Sequence, residues 1–93
     1  MVIKRAARAG TLESSDICVV VRPSAEGVQI TLHSSVEKQF GRSIRSAIRE
    51  IVDQMGIENV SIEADDHGAL DCTIRARVET ALERGAREEE NGK

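Results

Sequence analysis

Two serines stand beside carboxylates in the segment Gly10-Thr11-Leu12-Glu13-Ser14-Ser15-Asp16, just before the first strand-like run of the chain. A serine in a connection of this kind is more accessible to a modifying enzyme than one inside a sheet or a helix. Small polar residues near a terminus are also typical of a plain turn, and taken alone the segment favours that interpretation. Ser14 is nevertheless a candidate point for the covalent attachment of a group.

The remaining reactive side chains form no recognisable catalytic set. His33 and His67 are isolated in the sequence, and no glycine-rich loop follows a strand in the Rossmann or P-loop pattern. Asp65, Asp66 and Asp71 lack the order of ligands found in an EF-hand, and a turn with a helix cap needs the same residues. We therefore predict no catalytic residue and no metal site, and an independent small enzyme is not favoured.

The two cysteines are predicted to be structural. Cys18 falls in a predicted strand and Cys72 in a predicted helix, without CxxC spacing or a histidine in ligand register. Small apolar thiols of this kind suit a reducing cytosol.

Composition excludes several classes of protein. The chain has 93 residues and a net charge of −3, and Phe40 is its only aromatic residue. It therefore lacks both the positive charge and the stacking platforms of a nucleic-acid-binding protein. The N-terminal residues contain no apolar run long enough for a signal sequence or a membrane span, so we expect a cytoplasmic protein without membrane contact.

Two strands and a helix are predicted in the first half of the chain. Residues 17–21 form a continuous β-branched run that ends at Pro23, and a hairpin connection leads to an alternating strand over 28–32. A helix capped by Ser34 or Ser35 follows; with Ser34 as the cap, Glu37 would complete a capping box. Its apolar positions recur at three and four residues: Val36, Phe40, Ile44, Ala47, Ile48, Ile51, Val52 and Met55.

A strand and a second helix complete the predicted fold. Gly56 ends the first helix, residues 57–64 form a third strand, and Asp65 or Asp66 caps a helix that begins near Ala69. The resulting fold class is α+β: a two-layer ββαβα sandwich, with a small mixed three-stranded sheet and two helices on one face. We expect a single domain over 1–93, with a flexible lead-in at 1–9 and a disordered charged tail at 86–93.

Two further segments change the interpretation of Ser14. They are Ser34-Ser35-Val36-Glu37-Lys38-Gln39-Phe40-Gly41 and Asp65-Asp66-His67-Gly68-Ala69-Leu70-Asp71-Cys72-Thr73-Ile74-Arg75-Ala76-Arg77. With the first segment, their order and spacing resemble the acyl carrier protein (gamma) subunit of citrate lyase, a family that also serves citramalate lyase. The resemblance spans about residues 9–82, and three separate motifs agree.

The resemblance implies a covalent prosthetic group. In this family a phosphoribosyl-dephospho-coenzyme A arm is joined to a serine through a phosphodiester, and the matching position in the Leu-Glu-Ser pattern is Ser14, with Ser15 as the neighbouring alternative. The arm ends in a thiol that carries acetyl as a thioester. Fatty-acid carrier proteins differ, because their serine starts a helix in an all-helical bundle.

The resemblance also implies partner proteins. The alpha subunit, an acyl transferase, exchanges acetyl for citryl on the arm, and the beta subunit, a citryl lyase, cleaves the citryl thioester to oxaloacetate. A prosthetic-group transferase loads the arm, and we hypothesise that its basic surface contacts Glu13 and Asp16. Arg75 or Arg77 could meet the phosphates of the arm or an acidic partner, although solvent exposure or an ion pair with Asp71 or Glu79 is the simpler alternative.

A second class of function fits the same residues. A non-catalytic interaction or scaffold domain would use the polar face of the strand at 28–32 to bind a partner, and its Ser14 would be inert. This hypothesis predicts no covalent adduct at Ser14.

Overall fold

The computed structural model describes residues 1–87, apart from the side chain of Glu37. Four strands form one mixed sheet in the spatial order β1-β2-β4-β3, in which β3 and β4 are parallel and the other neighbouring pairs are antiparallel. The predicted α+β class is confirmed. The elements in chain order are β1 (Ala7–Ala9), β2 (Ile17–Arg22), β3 (Val28–Ser34), α1 (Glu37–Gln54), β4 (Val60–Asp66) and α2 (Asp71–Ala86).

The sheet has four strands where the sequence predicted three. The additional strand, β1, lies inside the segment 1–9 that was expected to be a flexible lead-in, and it pairs with β2 from Ala7 opposite Val21 to Ala9 opposite Val19. Ile3, ahead of this strand, is buried in the core. The prediction missed β1 because an Ala-Arg-Ala run carries neither the β-branched residues nor the apolar alternation that indicate a strand.

The hairpin predicted between β2 and β3 is also wrong. β4 lies between them, antiparallel to β2 and parallel to β3, with Val19 and Leu32 both opposite Ala64. The turn-rich residues 24–27 indicate a change of direction but do not specify which strand occupies the centre of the sheet. The parallel connection from β3 through α1 to β4 is confirmed.

Helices α1 and α2 pack on the sheet, as predicted, and they also contact each other. α1 contacts β3, whereas α2 contacts β1 and β2. Alternate residues of β2 and β4 point into this layer and are buried, which is the period-two pattern of a strand with one covered face. The largest fully buried side chains, all below 2% exposed, are Ile17, Val19, Val21, Ile48, Val52, Val60, Ile62, Asp66, Val78 and Leu82.

The ends of α1 differ in how well they were predicted. Gly56, with φ of +66°, ends the helix as expected: its N–H binds the carbonyl of Asp53, and the N–H of Ile57 binds that of Val52. Neither Ser34 nor Ser35 is the N-cap, because Ser34 is still in β3 and Val36 holds the cap position. The Glu37 side chain of the expected capping box lies outside the described residues.

The chain near α2 also departs from expectation. This helix begins at Asp71, two residues after the predicted Ala69, and Leu70 rather than an aspartate is its cap residue. Ala86, placed in the expected tail, is its last residue. The expected disorder of the tail falls, from position 88 onward, outside the described residues.

Candidate attachment site on the serine loop

Residues 10–16 connect β1 to β2 and are called the serine loop below. Ser14 and Ser15 are exposed, and neither hydroxyl has a hydrogen-bond partner within the part of the chain that the structure describes. The Thr11 hydroxyl, by contrast, donates to the Asp16 carboxylate at 2.7 Å and accepts the Glu13 N–H at 3.2 Å. The two serines are thus the hydroxyls of this loop that are open to reaction.

The carboxylate of Asp16 fixes the serine loop from within. Oδ2 accepts the backbone N–H of Thr11 at 3.1 Å as well as its hydroxyl, and Oδ1 accepts the N–H of Ile17 at 2.7 Å. Arg77 of α2 completes the set, with Nε 3.1 Å from Oδ1 and Nη2 3.2 Å from Oδ2. Charge-assisted hydrogen bonds of this kind are the stronger ones in proteins.

These contacts change the titration of Asp16. The hydrogen bond from Thr11, then those from Arg77 and Ile17, hold the pKa of the Asp16 carboxyl well below its usual range. Asp16 is only 9% exposed, so its charge is used inside the loop. Glu13, by contrast, is exposed, and the hypothesis that a loading enzyme contacts these two carboxylates stays a prediction.

The backbone of the serine loop needs particular residues at two positions. Gly10 has φ of +88°, and a Cβ there would overlap the carbonyl oxygen of Ile17. Ser15 has φ of +65°, a left-handed conformation that side chains rarely adopt. The loop turns sharply as a result, and Ser14 lies in the turn directly before the left-handed residue.

A second connection joins the serine loop to the turn before α2. The N–H of Ser15 donates to the carbonyl of His67 at 2.7 Å, and the N–H of His67 donates to the carbonyl of Asp16 at 2.9 Å. The neighbouring Asp66 is buried, and its carboxylate accepts the Ser34 hydroxyl at 2.9 Å and the Ala69 N–H at 3.0 Å. The serine loop, the end of β3 and the start of α2 are thereby held together.

An apolar groove of about 440 Å³ opens at this end of the molecule, between the start of α1 and the start of α2. Phe40 is 52% exposed and Leu70 is 69% exposed at this groove. Ser43, Asp66 and Asp71 contribute the polar side chains of its lining, and Gly68 also borders it. The other apolar side chains of its wall are Val36, Ile44, Ala69 and Ile74.

The other side chains considered from the sequence do not join this site. His33 lies 3.9 Å from Glu63 on the sheet, and His67 lies 3.2 Å from Asp65. Within residues 1–87, no group of three or more histidine, cysteine, aspartate or glutamate side chains could hold a metal ion. Cys18 and Cys72 are both free, the first partly buried and the second exposed.

The two arginines of α2 have separate roles. Arg75 binds Asp71 at 2.7 Å and Glu50 at 3.0 Å, in line with the ion pair offered as the simpler alternative. Arg77 points instead to Asp16, a contact that the sequence analysis missed. The spacing of Arg75 and Arg77 indicated only that they face different directions.

No helix in the described part of the chain is long and apolar enough to cross a membrane.

Similarity to known proteins agrees with this arrangement. A family model described as the malonate decarboxylase delta subunit (MdcD) matches residues 4–85. The citrate lyase acyl carrier protein of Halothermothrix orenii is 53% identical over 87 residues, covering 94% of this chain and 93% of that protein. The chain belongs to the citrate lyase acyl carrier protein family. The citrate lyase acyl carrier protein of Lacticaseibacillus casei is 56% identical over 86 residues, covering 92% of this chain and 85% of that protein.

The fold of this citrate lyase acyl carrier family member has a counterpart among solved structures. A chain in the crystal structure of a Pseudomonas malonate decarboxylase hetero-tetramer with malonate superposes with a TM-score of 0.74. The identity is 21%, and the match covers 90% of this chain and 87% of that one. Membership makes the chain a non-catalytic carrier subunit of a multi-subunit complex, and it implies a covalently attached prosthetic group.

Proposed function

We propose that this chain carries acetyl and citryl thioesters for a citrate lyase, on a phosphoribosyl-dephospho-coenzyme A arm attached to Ser14. The observation that carries the proposal is the exposed Ser14 hydroxyl, which lacks a partner among residues 1–87 and stands on a loop fixed by Asp16. The Leu-Glu-Ser pattern and the 53% identity to a citrate lyase acyl carrier protein support the choice of serine and of arm.

The serine loop fits a phosphodiester linkage. Attachment needs a hydroxyl that a transferase can reach, with room around it for a large charged group. Thr11 is excluded because its hydroxyl is bound to Asp16, and Ser14 meets both requirements. Ser15 is also exposed, but its N–H is tied to His67 and its backbone is left-handed, so Ser14 is the better candidate.

The attachment step is a phosphoryl-group transfer that the chain itself does not catalyse. The Ser14 oxygen forms a bond to the phosphorus of a phosphoanhydride donor, and the anhydride bond to the donor's phosphate leaving group breaks. The hydroxyl proton passes to a base of the prosthetic-group transferase. Asp16 is not suited to be that base, because its carboxylate is saturated by hydrogen bonds.

Once bound, the arm supplies a thiol whose thioester makes the acyl group easy to transfer and its neighbouring carbon easier to deprotonate. The protein contributes a fixed origin for that arm. Because Asp16 and Arg77 join the serine loop to α2, Ser14 is anchored to the helical layer. Tethering converts encounters with the partner subunits into intramolecular delivery and raises the local concentration of the acyl group.

The partners in this proposal are an alpha subunit with acyl transferase activity and a beta subunit with citryl lyase activity. In this proposal, the choice between citrate and citramalate belongs to the pockets of those subunits. A cytoplasmic location remains an expectation from the sequence.

The test is the intact mass and peptide map of the chain after production with its loading enzymes. We expect one phosphoribosyl-dephospho-coenzyme A adduct on the peptide that contains Ser14, and none in a Ser14→Ala variant. The loading enzymes are shown to be active on a known carrier. If they leave the wild-type chain unmodified, the scaffold hypothesis is favoured instead.

Ser15 supplies the matched control. A Ser15→Gly variant removes the neighbouring hydroxyl without requiring a Cβ to occupy the left-handed region. We expect this variant to gain the adduct as the wild type does. An adduct that persists in Ser14→Ala and is lost in Ser15→Gly would move the attachment to Ser15.

A further inference from the structure

Exposed apolar side chains gather at the serine end of the molecule, meaning the serine loop, the start of α1 and the turn over 67–70. They are Leu12 at 62% exposed, Phe40 at 52% and Leu70 at 69%. The chain has a single aromatic residue and leaves half of it in solvent. An exposed apolar patch with a polar rim is typical of a protein-interaction surface.

These side chains lie near Ser14. Leu12 is two residues away, and the hydrogen bond from Ser15 to His67 places the turn that leads to Leu70 beside the serine loop. Phe40 and Leu70 both line the groove of about 440 Å³. The patch and the proposed attachment serine therefore share one end of the protein.

We infer that this patch of Leu12, Phe40 and Leu70 is the docking surface for the prosthetic-group transferase. Leu70 and Phe40 contact an apolar surface of that enzyme. The inference rests on the proposed attachment at Ser14. A transferase must bring its catalytic groups within bonding distance of the Ser14 hydroxyl, so its footprint is centred near the serine loop. A standard interface covers about 800 Å² on each partner, which is large enough to include the whole serine end.

The character of the patch favours a protein over the phosphates of the arm itself. The cores of interfaces are mostly apolar and enriched in aromatic side chains, and the wall of this groove is mostly apolar and includes Phe40. Asp71 at the groove and Glu13 on the serine loop carry negative charge that would repel phosphates. The nearby Arg75 and Arg77 are already paired with carboxylates.

The decisive experiment measures the affinity of the unmodified chain for the purified transferase. A Leu70→Ser variant should weaken the Kd at least about tenfold, because Leu70 is a candidate anchor at the centre of the contact. Val2→Ser is the matched control: Val2 is 68% exposed, and Met1 beside it contacts Gly56, past the far end of α1. We expect its Kd to stay within about twofold of the wild type.

The folding of each variant is checked by its thermal unfolding midpoint. This midpoint should not fall for Leu70→Ser, because the Leu70 side chain is mostly in solvent and serine is favoured at the helix-cap position that Leu70 holds. A Phe40→Ser and Leu70→Ser double variant should weaken the Kd further. A wild-type Kd in both the single and the double variant would overturn the docking inference. The inference would also be overturned if Val2→Ser weakened the Kd as much as Leu70→Ser does.

Two further outcomes separate this inference from the proposed function. If Leu70→Ser weakens binding while the wild type gains no arm, the attachment proposal fails and the docking surface stands. If binding is unchanged, and the Leu70 methyl resonances shift when the isolated chain gains its arm, the groove accommodates the arm and the docking inference is wrong.

Discussion

Arg77 holds the carboxylate of Asp16 with two hydrogen bonds, at 3.1 Å from Nε to Oδ1 and 3.2 Å from Nη2 to Oδ2. The two residues are 61 positions apart, so this contact joins the serine loop to α2. It fixes the position of Ser14 relative to the groove between the helices. A carrier subunit of a multi-subunit complex benefits from a defined origin for its prosthetic group.

Replacing Arg77 should loosen the serine loop. In Arg77→Ala the Asp16 carboxylate keeps its hydrogen bonds from Thr11 and Ile17 but loses its charged partner. The backbone amides of Thr11 and Ile17 should therefore exchange hydrogen faster, and the thermal unfolding midpoint should fall. Arg75→Ala is the control, because its ion pairs lie on the helix surface and contribute little. Equal exchange at Thr11 and Ile17 in the two variants would contradict this role.

The stability contributed by Asp16 should depend on pH. Its pKa is lower in the folded chain than in the unfolded chain, so the contribution is fully present above the unfolded value, about 3.9. As the pH falls below that value, the unfolded chain takes up a proton first and unfolding is favoured. The difference in free energy of unfolding between wild type and Asp16→Asn should shrink between about pH 5 and pH 2, measured by denaturant titration. A constant difference over this range would exclude the effect.

The fold was predictable where local patterns carry the information. The stripe of apolar residues in α1 and the left-handed Gly56 specify a helix and its end, because both signals lie within a few residues of each other. The place of β4 between β2 and β3 was not predictable, because it depends on pairing between strands distant in sequence. β1 was missed for a related reason: Ala7 and Ala9 become a strand only when they pair with Val21 and Val19.

The candidate site also has a part that local sequence patterns predict and a part that depends on contacts between distant residues. Ser14 could be selected from the composition of its segment and from a family motif, both of which are local. The role of Asp16 could not, since its partner Arg77 comes from another element. The carboxylate of Asp16, close to the candidate attachment serine, was interpreted as a docking charge, whereas the fold uses it to hold the loop.

Gly10 should tolerate no side chain. In Gly10→Ala the positive φ strains the backbone, and the new Cβ meets the carbonyl oxygen of Ile17, so we expect a loss of about 1–3 kcal/mol or more in the free energy of unfolding. Gly27→Ala is the control: its φ is +83°, but nothing lies within 4 Å of the added Cβ. Its loss should be smaller, and equal losses would mean that φ alone matters.

The N-terminal segment should contribute to stability even though its sequence does not indicate structure. Ile3 is 5% exposed, and the N–H groups of Lys4 and Arg5 both donate to the carbonyl of Gly85 in α2. We expect Ile3→Ala to lower the free energy of unfolding by about 2–4 kcal/mol, because it leaves a cavity beside Gly85 of α2. Val2→Ala, at a site 68% exposed, should change it by less than about 0.5 kcal/mol. Denaturant unfolding of both variants checks this, and similar small changes would show that residues 1–9 act as the flexible lead-in expected from the sequence.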